Sequence, residues 1–147
     1  MNFIRITSEA GENKMYTNDS IATFLVTHLD NFGDKKEYIL KAIEFSLNPH
    51  RGGFVLLGIE DEKIVGAVVV NETGMDGYIP ANILVYVAVH KNYRGKGVGK
   101  LLMQEAMDNA KGGIALHVEP ENPAKFLYEK LGFTHKYLEM RYQPLEK

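Results

Sequence analysis

The chain has 147 residues, 45% hydrophobic and 24% charged, with no cysteine and a formal net charge of −2. This ordinary globular composition predicts a single domain, 1–147, and excludes a disordered chain, a disulfide scaffold and a thiol nucleophile. The charge disfavours a general nucleic-acid binder, no apolar run reaches the ~20 residues that cross a bilayer, and the opening MNFIRITSEAGENK lacks a signal peptide's basic segment and apolar core, so a cytoplasmic location without membrane attachment is expected.

Asn2 to Thr7 alternates and predicts a short first strand. From Ser20 to Asp30, Ile21, Phe24, Leu25, His28 and Leu29 recur at helical spacing, with Asp19 or Ser20 as cap. On that stripe His28 reads as a partly buried structural histidine. After the break at Asn31-Phe32-Gly33, Asp34-Lys35-Lys36-Glu37 resembles a capping box for a helix carrying Tyr38, Ile39, Ala42, Ile43 and Leu47. Phe54 to Ile59 and Ile64 to Val70 predict a hairpin about the polar turn 60–63. The second of these runs barely alternates, as a strand covered on both faces would.

A loop from Asn71 to Asn82 leads to a strand, Ile83 to Val89, and then to a burst of glycines. The next helix, about Val98 to Ala110, repeats Leu102, Ala106, Ala110 and Met103, Met107 at spacing four. Ile114 to Val118 predicts another strand. Pro123 opens a helix with Ala124, Leu127, Tyr128 and Leu131 on one stripe, and Tyr137 to Gln143 alternates as a final strand.

The strand, glycine loop and helix from Ile83 to Met103 suit an anion. Glycines remove the Cβ atoms that would hold a ligand off the backbone, and the first helical N–H groups lack partners and carry partial positive charge. Lys91, Arg94, Lys96 and Lys100 add local charge. The P-loop spacing fails, because Leu101 follows Gly99-Lys100 and position 94 is arginine; the dinucleotide fingerprint G-x-G-x-x-G fails in both registers. What stands is Arg94-Gly95-Lys96-Gly97-Val98-Gly99, directly after Val87-Ala88-Val89.

This R-x-x-G-x-G resembles the acetyl-CoA motif of the GCN5-related N-acetyltransferase (GNAT) family. The run Asn122-Pro123-Ala124-Lys125-Phe126-Leu127-Tyr128-Glu129-Lys130-Leu131-Gly132-Phe133 resembles that family's second motif, in the usual order and separation. The resemblance covers roughly the last 65 residues. It implies an α/β (α+β) GNAT acyl-CoA N-acyltransferase fold, a mixed central sheet flanked by helices, in the order β-α-α-β-β-β-α-β-α-β. It implies acetyl-CoA as cosubstrate, an amine acceptor and no metal. The pyrophosphate would lie against Arg94, Gly95, Lys96, Gly97, Val98, Gly99 and Lys100, the pantetheine along Val87, Ala88 and Val89, and the CoA arm near Asn122, Ala124 and Tyr128. A homodimer fits too, as in many members of the family.

Acyl transfer to an amine poses two proton problems. The ammonium must lose a proton, and the departing thiolate must be protonated or stabilised. By resemblance, Tyr128 is the general acid and a strand-edge N–H near Val87 to Val89 holds the thioester carbonyl. Many relatives carry an acidic residue on the central strand, but here those positions are Leu84, Val85 and Tyr86. Glu72, His90, His117, Glu119 or a water chain are the candidates for the base. His117 and Glu119 share strand parity. The expected activity is direct acetyl transfer within a ternary complex to a small-molecule or peptide amine. The alternative is a non-catalytic CoA-binding sensor or partner-binding module.

Overall fold

A computed structural model describes residues 1–145. Its elements run β1 (Asn2–Ile6), α1 (Asn18–His28), a 3-10 turn (Asp30–Phe32), α2 (Lys36–Leu47), β2 (Gly53–Glu60), β3 (Lys63–Glu72), β4 (Asn82–Val89), a second 3-10 turn (Lys91–Tyr93), α3 (Val98–Asn109), β5 (Ile114–Leu116) and α4 (Ala124–Lys130). One sheet has strand order β1-β2-β3-β4-β5. Its first three pairings are antiparallel, and β4–β5 is parallel. The chain divides into a unit spanning Met1–Leu116 and a smaller one starting at His117.

In the first unit the sheet is covered on both faces. Ile21 and Leu25 of α1 and Ile39 and Ile43 of α2 pack with Val55, Leu57, Ala67 and Val69, all fully buried. Leu102, Met103 and Ala106 of α3 are fully buried where that helix crosses β2, β3 and β4. A Cβ on Gly66 would run into the Leu102 side chain, so this glycine sets how closely α3 approaches β3. The double cover accounts for the weak alternation of β3, which is buried from Val65 to Val70.

Side-chain capping differs from expectation at both N-terminal helices. For α1 the cap is Thr17, whose hydroxyl accepts from the Ser20 N–H at 3.2 Å, not Asp19 or Ser20. At α2 the capping box does not form: Lys35 is the N-cap and makes no capping bond. Asp34 is turned elsewhere, accepting from the Lys35 N–H at 3.2 Å and from the Tyr86 hydroxyl at 2.9 Å.

Two strand expectations are corrected. β5 ends at Leu116 rather than Val118, because its pairing with β4 stops at Leu84↔Leu116. Tyr137 to Gln143 is no strand among the described residues, and Leu138, Met140 and Tyr142 are 91%, 90% and 85% exposed. Alternation suits a residue to a pleated surface, but a strand needs a neighbour to bond, and this stretch has none there.

Candidate functional site

The site is built on β4. Its register against β3 runs Gly66↔Val89 to Val69↔Tyr86 and then jumps to Val70↔Leu84, leaving Val85 as the extra residue of a bulge. On the other side β4 meets β5 only from Asn82 to Leu84. The join is fixed by Asn82, buried, whose amide donates to the carbonyls of Lys111 at 2.8 Å and Gly113 at 3.2 Å. Beyond the bulge that edge of β4 has no strand partner among the described residues. The His90 N–H bonds the Val65 carbonyl, while the Val89 carbonyl accepts from Arg94 Nε. By alternation, Val89 and Val87 therefore turn their backbone groups to the open edge, and Ala88 turns its own to β3.

The strand then enters the glycine loop. Gly95 (φ 76°) and Gly97 (φ 81°) occupy left-handed backbone, and Gly97 is the N-cap of α3. A Cβ on either would point into open space. From Gly95 to Lys100 the backbone N–H groups make no hydrogen bond with the described chain, whose first bond here is Leu101 N–H to the Gly97 carbonyl. Val98, Gly99 and Lys100 thus present the free donors and positive dipole end of a twelve-residue helix. Lys100 is exposed, and the Lys96 ammonium sits 5.4 Å from the centre of the Tyr93 ring. A bare backbone, unpaired donors and two lysines fit a pyrophosphate.

Arg94, expected to meet that phosphate, is turned the other way. Besides Val89, its guanidinium donates to Asp30 Oδ2 at 2.8 Å and to the His28 carbonyl at 2.6 Å. Lys91 Nζ lies 3.6 Å from Asp30 Oδ1. The end of α1 is thereby tied to the loop. His28 is structural, as read from its stripe: buried, its Nδ1 accepts from the Lys91 N–H at 3.2 Å, and its ring lies 4.6 Å from Phe24 and 4.2 Å from His90. Burial first, then His90, Arg94 and Lys91, hold its pKa below the ordinary 6.5, against a weaker pull upward from Asp30. The Arg94 hydrogen bond holds the Asp30 carboxyl below its ordinary value.

The other candidate bases scatter. His90 uses Nδ1 to accept from the Asn92 N–H at 3.0 Å. Glu72 ends β3 opposite Asn82, at the closed end of β4. His117 and Glu119 are exposed and lie past the end of β5, so strand parity does not align them. Tyr86 and Asp34, 52 positions apart, are joined by the hydroxyl–carboxylate bond. Sequence offered no sign of that contact, since Asp34 reads as a helix cap and Tyr86 as a missing acid.

In the second unit Asn122 Oδ1 accepts from the Ala124 N–H at 2.9 Å, so this asparagine closes the start of α4. Tyr128 is the buried residue of α4, 7% exposed, with its ring 6.0 Å from Phe133. Burial pushes its pKa up to about 12, which keeps the phenol protonated at neutral pH.

Residues 51–135 match the family model of the acetyltransferase (GNAT) domain. The chain is 29% identical over 85 residues to N-alpha-acetyltransferase 30 of Schizosaccharomyces pombe, covering 54% of this chain and 57% of that protein. It is 34% identical over 90 residues to a ribosomal protein alanine N-acetyltransferase of Haemophilus influenzae, covering 58% of each. Each match thus spans under two thirds of the relative's length. A solved aminoglycoside antibiotic 6'-N-acetyltransferase from Acinetobacter haemolyticus superposes over all of both chains with a TM-score of 0.70 at 15% identity, a likeness of fold.

Proposed function

The chain belongs to the GNAT acetyltransferase family, and on that premise we propose that it transfers an acetyl group from acetyl-CoA to a primary amine, directly within a ternary complex. The observation that carries the reading is the continuity of the open β4 edge, Val85 to Val89, with the unpaired amides of the glycine loop. An extended pantetheine can bond the edge as a strand would, while the loop takes the pyrophosphate. Val87 and Val89 supply the edge groups. Gly95, Lys96, Gly97, Val98, Gly99 and Lys100 supply the anion cradle. Arg94 holds that cradle in place through its own bonds, and Asn122 and Ala124 are assigned to the CoA arm by their match to the family's second motif alone.

Acetyl-CoA supplies an activated acyl group and a thiolate leaving group. The edge N–H groups of Val87 and Val89 stand where an oxyanion can be received. By its match to the family's second motif, Tyr128 is the residue assigned to protonate the departing sulfur, a role suited to a group that burial keeps protonated. The S. pombe and H. influenzae relatives bear names that specify α-amino or alanine acetylation. These names favour a peptide α-amine over a small-molecule amine here. The test is release of free thiol from acetyl-CoA across alanine-starting peptides, spermidine and kanamycin, alongside calorimetry with CoA. Tight CoA binding with no amine-dependent thiol would replace the enzyme reading by that of a CoA-binding module.

A further inference from the structure

The chemistry above leaves the acceptor amine without a group to take the proton it sheds on attack, because β4 carries no carboxylate of its own. We propose that Asp34, acting through the hydroxyl of Tyr86, is the proton acceptor for the amine. This inference rests on the acetyl-transfer reading and completes it.

Three observations carry it. Tyr86 is the first β4 residue after the Val85 bulge and adjoins Val87, whose backbone faces the open edge; bulges re-aim side chains near reactive centres. The ring is half-buried against the core formed with α1 and α2, so its hydroxyl emerges at the boundary between core and solvent. There it meets a carboxylate held at both oxygens: Oδ2 by the Tyr86 hydroxyl at 2.9 Å and Oδ1 by the Lys35 N–H at 3.2 Å. A strand without an acid is thus given one from the segment before α2.

The roles within the pair follow from which group titrates. Burial, then the bond to Asp34, raise the Tyr86 pKa above its ordinary value, so the phenol stays protonated at neutral pH and is not itself the base. The amine binds as its free base, having left its first proton to solvent, and donates an N–H to the Tyr86 oxygen. As nitrogen attacks the thioester carbon, a second proton passes from nitrogen to the phenol oxygen and the phenol's proton passes to Asp34 Oδ2. The Tyr86 phenol is neutral before and after, the carboxylate becomes a carboxylic acid, the new C–N bond forms as the C–S bond breaks, and the proton that Tyr128 gives to sulfur is restored from Asp34 by way of solvent. The order matters, because an α-ammonium and an aspartate ordinarily differ by about 4 pKa units. Transfer to Asp34 before attack would be steeply uphill, whereas attack acidifies the nitrogen.

Asp34→Asn is the decisive variant. Its side-chain carbonyl still accepts from Tyr86, so the loop is kept and only the basicity is lost. Thiol release is measured with alanine amide, a basic nucleophile, and with hydroxylamine, whose less basic nitrogen sheds its proton more readily once it has attacked. The expectation is a loss of about 10²-fold or more in kcat/KM for alanine amide, a much smaller loss for hydroxylamine, and unchanged CoA affinity by calorimetry. Tyr86→Phe should reproduce the split, and the double variant should be no worse than either single one. Parental turnover of alanine amide by Asp34→Asn, or equal losses with both amines, overturns the assignment. If the parent acetylates neither amine, nor the peptides, spermidine or kanamycin, the acetyl-transfer reading itself falls, and this assignment with it.

Discussion

Tyr128 and Tyr86 carry the same side chain into different environments. Burial alone holds the Tyr128 proton, to a pKa of about 12. Tyr86 is held up by burial together with the neighbouring carboxylate, to which it is already donating. The first is therefore free to donate outward and the second is committed to a relay. Tyr128→Phe should leave the ring packed and CoA affinity unchanged while kcat and kcat/KM fall together by about 10²–10⁴-fold. Parental rates with alanine amide and hydroxylamine alike would reduce Tyr128 to a packing residue. Arg94 allows a sharper comparison, because its three bonds lie within the protein. Arg94→Ala should weaken CoA binding by about tenfold, within the range of one charge-assisted bond. If the arginine acts by holding the loop, Asp30→Asn should lose part of that affinity by calorimetry; if it meets phosphate directly, Asp30→Asn should lose none.

Among the elements, the glycine loop shows how backbone conformation leaves a run of donors exposed. Gly97 combines a φ of 81° with open space at its Cβ position. A valine there meets the left-handed penalty of about 1–2 kcal/mol, and its side chain projects into the volume a pyrophosphate needs. Gly97→Val is expected to lower the Tm modestly and to abolish measurable CoA binding; retained affinity would take the loop out of the site. The β2–β3 turn takes left-handed backbone without glycine. Asp61 (φ 50°) and Glu62 (φ 64°) form a two-residue turn in the conformation that prefers Asn-Gly. Asp61→Asn with Glu62→Gly should raise the Tm, read by calorimetry without ligand. The hairpin, β4 and the R-x-x-G-x-G loop were legible because apolar runs and fixed glycine spacings are local signals. The Thr17 cap, the early end of β5 and the Asp34–Tyr86 bond were not, because each depends on a neighbour that the local sequence does not identify. The 137–143 stretch is the converse case: its alternation is clear, but no strand lies beside it among the described residues to make it one.

Across the whole molecule, the tie between α1 and the loop makes stability a function of pH, with a definite sign. His28 is held neutral: its Nδ1 is an acceptor for the Lys91 N–H, and Arg94, Lys91 and His90 stand around it. Its folded pKa lies below the ordinary 6.5, so below that pH the unfolded chain binds more protons than the folded one. The stability it contributes is complete above 6.5 and is lost as pH falls through the folded value. Asp30 acts in the same direction in a lower window. Its carboxyl is depressed by Arg94, so its contribution stands above the ordinary 3.8 and fades as pH falls through its own folded value. Melting curves should therefore show a first decline in Tm from about pH 6.5 downward and a second below about pH 4. His28→Gln removes the imidazole but keeps a side-chain acceptor, and it should flatten the first decline while leaving the second. Arg94→Ala should do the reverse to Asp30, returning its carboxyl to the ordinary range and shrinking the second decline. An undiminished loss of Tm between pH 8 and pH 5.5 in His28→Gln would show that the first window belongs to another group and that His28 only fills space.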